Sequence, residues 1–211
     1  MIPYFSQLDH LQPDQCGIWL AEHTPLHLIA CNNWQEDFPY TPLTRFAIAR
    51  SSTALVVHYA CHDRELMALN TAPLGPVANE NCVEIFLSLP GSDEYWNFEF
   101  NAIGTVNASH RRERPNPTRL TPQQIATIIR CPSLGTQPIA LHEGDFHWTL
   151  TVTIPFALIG VDPQCPPPYL KANLYKCGAK LPTPHYLSWQ PIDSDRPDFH
   201  RPDCFGRLQF E

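Results

Sequence analysis

The 211 residues are 43% hydrophobic and 17% charged with a net charge of −7, a globular composition that excludes a disordered chain and lacks the basic stripe of a nucleic-acid surface. A chain of this length suits one domain, buries roughly 70% of its unfolded surface and needs no staples to fold. No run approaches the roughly 18 apolar residues of a bilayer span, so neither membrane nor nucleic acid is an expected partner.

The start, "MIPYFSQLDHLQPDQ", has no basic n-region and no apolar h-region. The chain as written is therefore expected to be cytoplasmic, or periplasmic or secreted where a signal has been removed. Residues 1–32 read as an N-terminal extension packed on a single domain spanning 1–211.

Strand patterns follow between turn signals. "LTRFAIA" (43–49) and "ALVVHYA" (54–60) are joined by "RSST", a hairpin spacing. "CVEIFLSL" (82–89) alternates, with Val83, Ile85 and Leu87 inward and Glu84, Phe86 and Ser88 outward. "PGSDE" turns it into "YWNFEFN" (95–101), which sets Trp96, Phe98 and Phe100 against Tyr95, Asn97, Glu99 and Asn101. Asn is depleted in strands, so that polar row asks for a partner. "LTPQQIATII" predicts a short helix, with Thr121 as N-cap, Pro122 in the first turn and Gln124 at the capping-box position. "FHWTLTVTIP" (146–155) places Phe146, Trp148, Leu150, Val152 and Ile154 on one face. "YLKANLYKC" (169–177), "HYLSW" (185–189) and "FGRLQF" (205–210) complete the set. Many short strands, with 23 prolines that leave little room for helix, predict an all-β, jelly-roll-like β-sandwich with one short helix.

Adjacent antiparallel strands share faces by parity, so Glu84 can lie beside Asn97, Glu99 or Asn101, with register undecided. Carboxylates and amides together suit sugar hydroxyls, each of which donates and accepts. A flat ring would pack on the sugar's C–H face; Trp189 and Phe199, the latter in the Pro-bounded "RPDFHRPD", are candidates. Two carboxylates on one face also admit a glycoside-acting enzyme using Glu84 and Glu99, and a structural or protein-interaction domain is a third reading. No G-x-S-x-G, catalytic cysteine context or phosphate loop is present, so no catalytic residue is assigned.

Eight singly spaced cysteines lack any C-x-x-C pair and are expected to be mostly reduced. His58 and His62 stand about 13 Å apart along a strand, too far to share a metal, and the remaining histidines are scattered. The acidic loops "GSDEY" and "IDSDRPD" could offer oxygens to calcium, though without EF-hand spacing.

The ordered succession "NENCVEIFLSL", "YWNFEFNAIG", "WTLTVTIPFALIG", "LKANLYKCG", "LSWQPI" and "PDFHRPDCFGRLQF" resembles the family-9 carbohydrate-binding modules, in particular the stand-alone domains of Bacteroidetes type, from about Asn33 to the C-terminus. The resemblance implies a sandwich without catalytic machinery, structural calcium, and a saccharide ligand. In sugar-binding members two tryptophans clamp a terminal ring beside a carboxylate. Glu84 matches that carboxylate and Phe199 the C-terminal clamp. Ala78 stands where the other tryptophan would be, Glu99 where an arginine would be, and Tyr175 where a glutamine would be. The resulting expectation is a site of Glu84, Asn97, Glu99 and Asn101, with Arg64, Tyr175, Lys176, Trp189, Phe199 and His200 as neighbours.

Overall fold

The computed structural model describes all 211 residues. Twelve strands form two antiparallel sheets. The first contains β1 (His27–Leu28), β2 (Leu43–Arg50), β3 (Ala54–Ala68), β8 (Ile129–Pro132) and β9 (Ile139–Pro155), in the order β1-β2-β3-β9-β8. The second contains β4 (Cys82–Ser88), β5 (Tyr95–Asn101), β6 (Val106–Arg111), β7 (Thr118–Arg119), β10 (Tyr169–Cys177) and β11 (Tyr186–Ser188), in the order β11-β10-β4-β5-β6-β7. β12 (Gly206–Gln209) pairs with the first half of β10 while β11 takes its last three residues.

The alternation in the sequence builds the core. Phe46, Val57, Tyr59, Trp148, Leu150 and Val152 from one sheet meet Val83, Ile85, Leu87, Phe98, Phe100 and Leu174 from the other, all buried in one cluster. Each such large side chain contributes about 1.5–3 kcal/mol through burial, so the two inner faces, not local propensity, hold the sandwich closed.

Two features depart from the sequence expectation. Helix α1 (Pro13–His23) lies on the outer face of the first sheet, with Leu20 and Cys16 packed on Ala47, Ala49 and Val56. It is capped by Gln12 and Gln15, which bond reciprocally, with Pro13 in the first turn; Gln is not a usual N-cap, which hid this helix. Gly17 permits the packing, since a Cβ there would sit 2.2 Å from Thr151 Oγ1 and 2.6 Å from His58 Nδ1. The second departure is length: β3 and β9 extend well past the alternating segments, and β6 and β8 were not legible at all. Helix α2 (Pro122–Ala126) carries the expected Thr121–Gln124 capping box. All eight cysteines are free. No helix is long and apolar enough to cross a membrane.

The outer face of the second sheet is not solvated. Every residue of β4 is buried on both sides. Segments near residues 34–38 and 192–205 cover it, setting Trp34 and Ile192 on Phe86, Tyr95 and Tyr175, with Phe38, Tyr186, Phe199 and Phe205 around them.

Candidate ligand pocket on the second sheet

Register settles what parity left open. Tyr175 pairs with Glu84, Glu84 with Glu99, and Glu99 with Asn107, a single row across four strands. The two carboxylates are thus immediate cross-strand partners on one face, whose Cα atoms stand about 4.5–5.5 Å apart in such a sheet. They form part of the floor of a cavity of ≈ 400 Å³. Phe86 shares that floor, Phe38, Tyr186 and Phe199 form aromatic walls, and Arg114 and His200 complete the lining with small residues including Ala78.

The walls are braced. Phe199 stacks on Tyr175 with ring centroids 4.2 Å apart and planes 11° from parallel, and Tyr175 Oη donates to the Phe199 carbonyl at 3.0 Å. Phe38 and Tyr186 meet edge to face at 4.8 Å. Arg114 pairs with Asp198 at 3.1 Å, and Asp198 Oδ1 accepts from the His200 backbone N–H at 3.0 Å, so the ring and charge at this end are tied into one loop.

The floor carboxyls are held toward their neutral forms. Burial raises Glu84 well above the ordinary carboxyl range, and nearby Cys177 and Glu99 reinforce it. The Cys177 Sγ donates to Glu84 Oε1 at 3.1 Å, and Cys82 Sγ approaches the same oxygen at 3.8 Å. Burial raises Glu99 as well, opposed by amide donation from Asn107 and Asn97, each at 2.9 Å, and by Arg111. Two adjacent buried carboxyls cannot both ionise cheaply; a neutral carboxyl adds a donor to the acceptors at the floor. His200 is pushed down to about 4 by burial and by Arg111 and Arg114, so it is neutral near pH 7.

Four of the ten sequence-designated residues line this cavity: Glu84, Glu99, Phe199 and His200. The other six do not. Tyr175 is fully buried behind Phe199. Asn97 orients Glu99 and accepts from Arg111 Nε at 2.7 Å. Asn101 is a structural clasp, donating to the Asn70 carbonyl and Glu80 and accepting from the Thr105 N–H. Lys176 points to the opposite side of β10 from Tyr175, because neighbours on a strand face opposite ways. Its ammonium is fully buried, 3.1 Å from Asp63 and 2.8 Å from His185 Nε2. Arg64 lies over Tyr40 and donates to Thr183 Oγ1, and Trp189 packs edge-on against Phe46 beside the main core. The polar row does find partners, but they are the protein's own: the Asn97 and Asn101 amides are buried and spent on Glu99, Arg111, Asn70 and Glu80.

Phe38, Tyr186 and Arg114 were missed. Phe38 sits in "DFPY", an aromatic between an acid and a proline much like Phe199 in "DFHRP", and that parallel was the available signal. Of the acidic loops that could offer oxygens to calcium, Glu94 pairs with Arg112 and His110 and Asp198 with Arg114, while the carboxylates of Asp93, Asp193 and Asp195 pair with no protein cation.

The two-sheet antiparallel sandwich is the fold of the family-9 carbohydrate-binding modules. The family model described as carbohydrate-binding family 9 matches residues 17–210, and the chain belongs to that family. Among solved structures, a Bacteroides uniformis protein described as carbohydrate-binding is 30% identical, with a TM-score of 0.91 over 100% of this chain and 97% of that one. Two structures of a family-9 module from Caldicellulosiruptor kristjanssonii share the fold at lower identity. The complex with glucose is 13% identical, with a TM-score of 0.60 over 100% of this chain and 94% of that one. The complex with cellotriose is 11% identical, with a TM-score of 0.58 over 100% and 92%. No curated protein matches the chain.

Proposed function

We propose that this chain binds the terminal unit of a small neutral saccharide in the pocket bounded by Phe38, Tyr186 and Phe199, without cleaving it. The observation that carries the reading is the juxtaposition of the Glu84–Glu99 pair with these three rings around ≈ 400 Å³, at the small end of the roughly 300–1,000 Å³ usual for ligand pockets. Sugar C–H groups would pack on Phe199, stiffened from behind by Tyr175, while its hydroxyls exchange hydrogen bonds with Glu84 and Glu99. Phe38 and Tyr186 supply the second aromatic boundary that Ala78 does not. Membership of the family, and the glucose and cellotriose complexes of the Caldicellulosiruptor kristjanssonii module, support the ligand class.

Cleavage finds less support. Glycoside hydrolysis needs a second carboxylate free to attack the sugar or activate water, whereas both oxygens of Glu99 already accept from the amides of Asn97 and Asn107.

Titration calorimetry with glucose, cellobiose and cellotriose on wild type, Glu84→Gln and Phe199→Ala tests the proposal, with circular dichroism verifying the fold. Binding that is insensitive to salt and weakened at least about tenfold in Phe199→Ala, the loss of one stacking contact of ~1.5 kcal/mol, is expected. Equal binding by all three proteins would remove the sugar from this pocket.

A further inference from the structure

On the opposite side of the sandwich, two histidines and an aspartate distant in sequence converge. His62 on β3 and His147 on β9 are cross-strand partners. Their rings stack at 4.0 Å with planes 20° apart. Asp145 lies between them: one carboxylate oxygen contacts His62 Nε2, and the other stands 3.8 Å from His147 Nε2. A bulge at this point of the β3–β9 ladder, where Gly144 and Asp145 oppose Arg64 alone, aims the carboxylate at both rings, a common use of bulges. One ligand atom from each of the three lies within 4.8 Å of the others.

We infer that His62, Asp145 and His147 form a binding site for a late first-row divalent cation of the copper–nickel–zinc group. Metal–ligand bonds of about 2.0–2.2 Å set tetrahedral ligand–ligand separations near 3.4 Å, so closure asks only for small rotations of half-exposed or exposed side chains. The site is open: it borders a groove of ≈ 370 Å³ that also includes Arg45, Ser133 and Thr149, leaving room for water or an exogenous donor in the remaining positions. Two imidazoles with one carboxylate suit copper, nickel, zinc and iron(II), of which iron(II) binds such sets more weakly than nickel or copper, and give little to magnesium or calcium, which favour all-oxygen sets. The site lies on the other sheet from the saccharide pocket and does not depend on it.

A second cluster, Cys82, Glu84 and Cys177, also brings three donors together, so the experiment must tell the two apart. Cobalt(II), zinc(II), copper(II), magnesium and calcium are titrated into the full chain after its cysteines have been reduced and the reductant removed. The same titrations are run on His147→Ala, Asp145→Asn and the double change Cys82→Ser with Cys177→Ser. One equivalent of copper or zinc should bind, copper more tightly, with magnesium and calcium silent. Loss of a direct ligand in His147→Ala should weaken binding beyond the ~10–100-fold typical of losing an outer partner, while the double serine variant binds as wild type. The cobalt complex should show ligand-field bands of a nitrogen–oxygen set without thiolate charge transfer. Absence of binding, binding indifferent to His147 and Asp145, or a thiolate charge-transfer band lost with the serines would each overturn the assignment. Melting curves without metal verify that the variants are folded: wild-type midpoints are expected for the changes at the exposed His147 and Asp145, and a lower but still cooperative transition for the double change at the buried Cys82 and Cys177.

Discussion

Replacing Lys176 with methionine should destabilise this protein more than almost any other single polar change. The Lys176 ammonium and the Asp63 carboxylate are 0% and 1% exposed and 3.1 Å apart. Asp63 also accepts from Trp148 Nε1 at 2.8 Å. His185 Nδ1 donates to the Thr183 carbonyl at 3.2 Å, which leaves Nε2 as acceptor for Lys176 at 2.8 Å. Burial pulls the Lys176 ammonium down, yet Asp63 with Cys61 and Cys177 holds it above the ordinary lysine value, while burial and the lysine charge keep His185 neutral, well below the ordinary histidine value. Methionine keeps the chain's volume and removes the charge, stranding a buried carboxylate whose remaining donor is an indole N–H. Breaking a buried pair from one side costs about 3–5 kcal/mol. For a domain of this size that is roughly 6–20 °C in the melting midpoint. Urea unfolding followed by tryptophan fluorescence measures it, with Trp148 reporting from beside the pair, its ring 5.9 Å from Lys176 Nζ. The double change Lys176→Met with Asp63→Asn removes both charges and should recover most of the loss, since exchanging a buried pair for neutral groups is often nearly neutral. A single variant within 1 kcal/mol of wild type, or a double variant no better than the single one, would refute the reasoning.

Three further outcomes follow from other parts of the molecule. Gly17→Ala gains about 1 kcal/mol of helix propensity, yet its Cβ lands on the Thr151–His58 hydrogen bond; overpacking of about 1–3 kcal/mol should prevail, and a variant as stable as wild type in urea would contradict it. Asn101→Ala should cost about 2–3 kcal/mol by leaving the Thr105 N–H and Glu80 short of a partner, with a loss below 1 kcal/mol arguing against the clasp. His200 is about 4 folded against an ordinary 6.5, so the unfolded chain binds the extra proton between those values and stability rises with pH across that window. The proton's cost is fully present below pH 4 and gone above 6.5, about 3 kcal/mol in all. His200→Gln should flatten that part of the stability–pH curve, and an unchanged slope would dismiss the assignment.

Much of this protein is determined by local pattern. Alternation in "CVEIFLSL", "YWNFEFN" and "FHWTLTVTIP" dictates strands whose apolar faces must be buried against each other, and Thr121, Pro122 and Gln124 specify a helix start. Those are short-range constraints, so they can be read residue by residue. The site is another matter. Parity placed Glu84 and Glu99 on one face, but only the β4–β5 register made them direct partners, and register is set by the whole packed sheet. Grouping Lys176 with Tyr175 failed on the same alternation that built the strand; the ammonium belongs to the core because Asp63, 113 residues earlier in the chain, arrives there to neutralise it. The polar face of β5 asks for a partner that pattern alone does not name, until Trp34, Phe38 and Phe199 arrive from both ends of the chain around Tyr95 on that face. His62, Asp145 and His147 look like scattered surface residues until the β3–β9 ladder sets them side by side. Composition and periodicity decide which faces must be hidden, because hydrophobic burial is local in pattern and non-directional. Which polar groups then meet depends on directional contacts between distant segments, and only the closed sandwich supplies them.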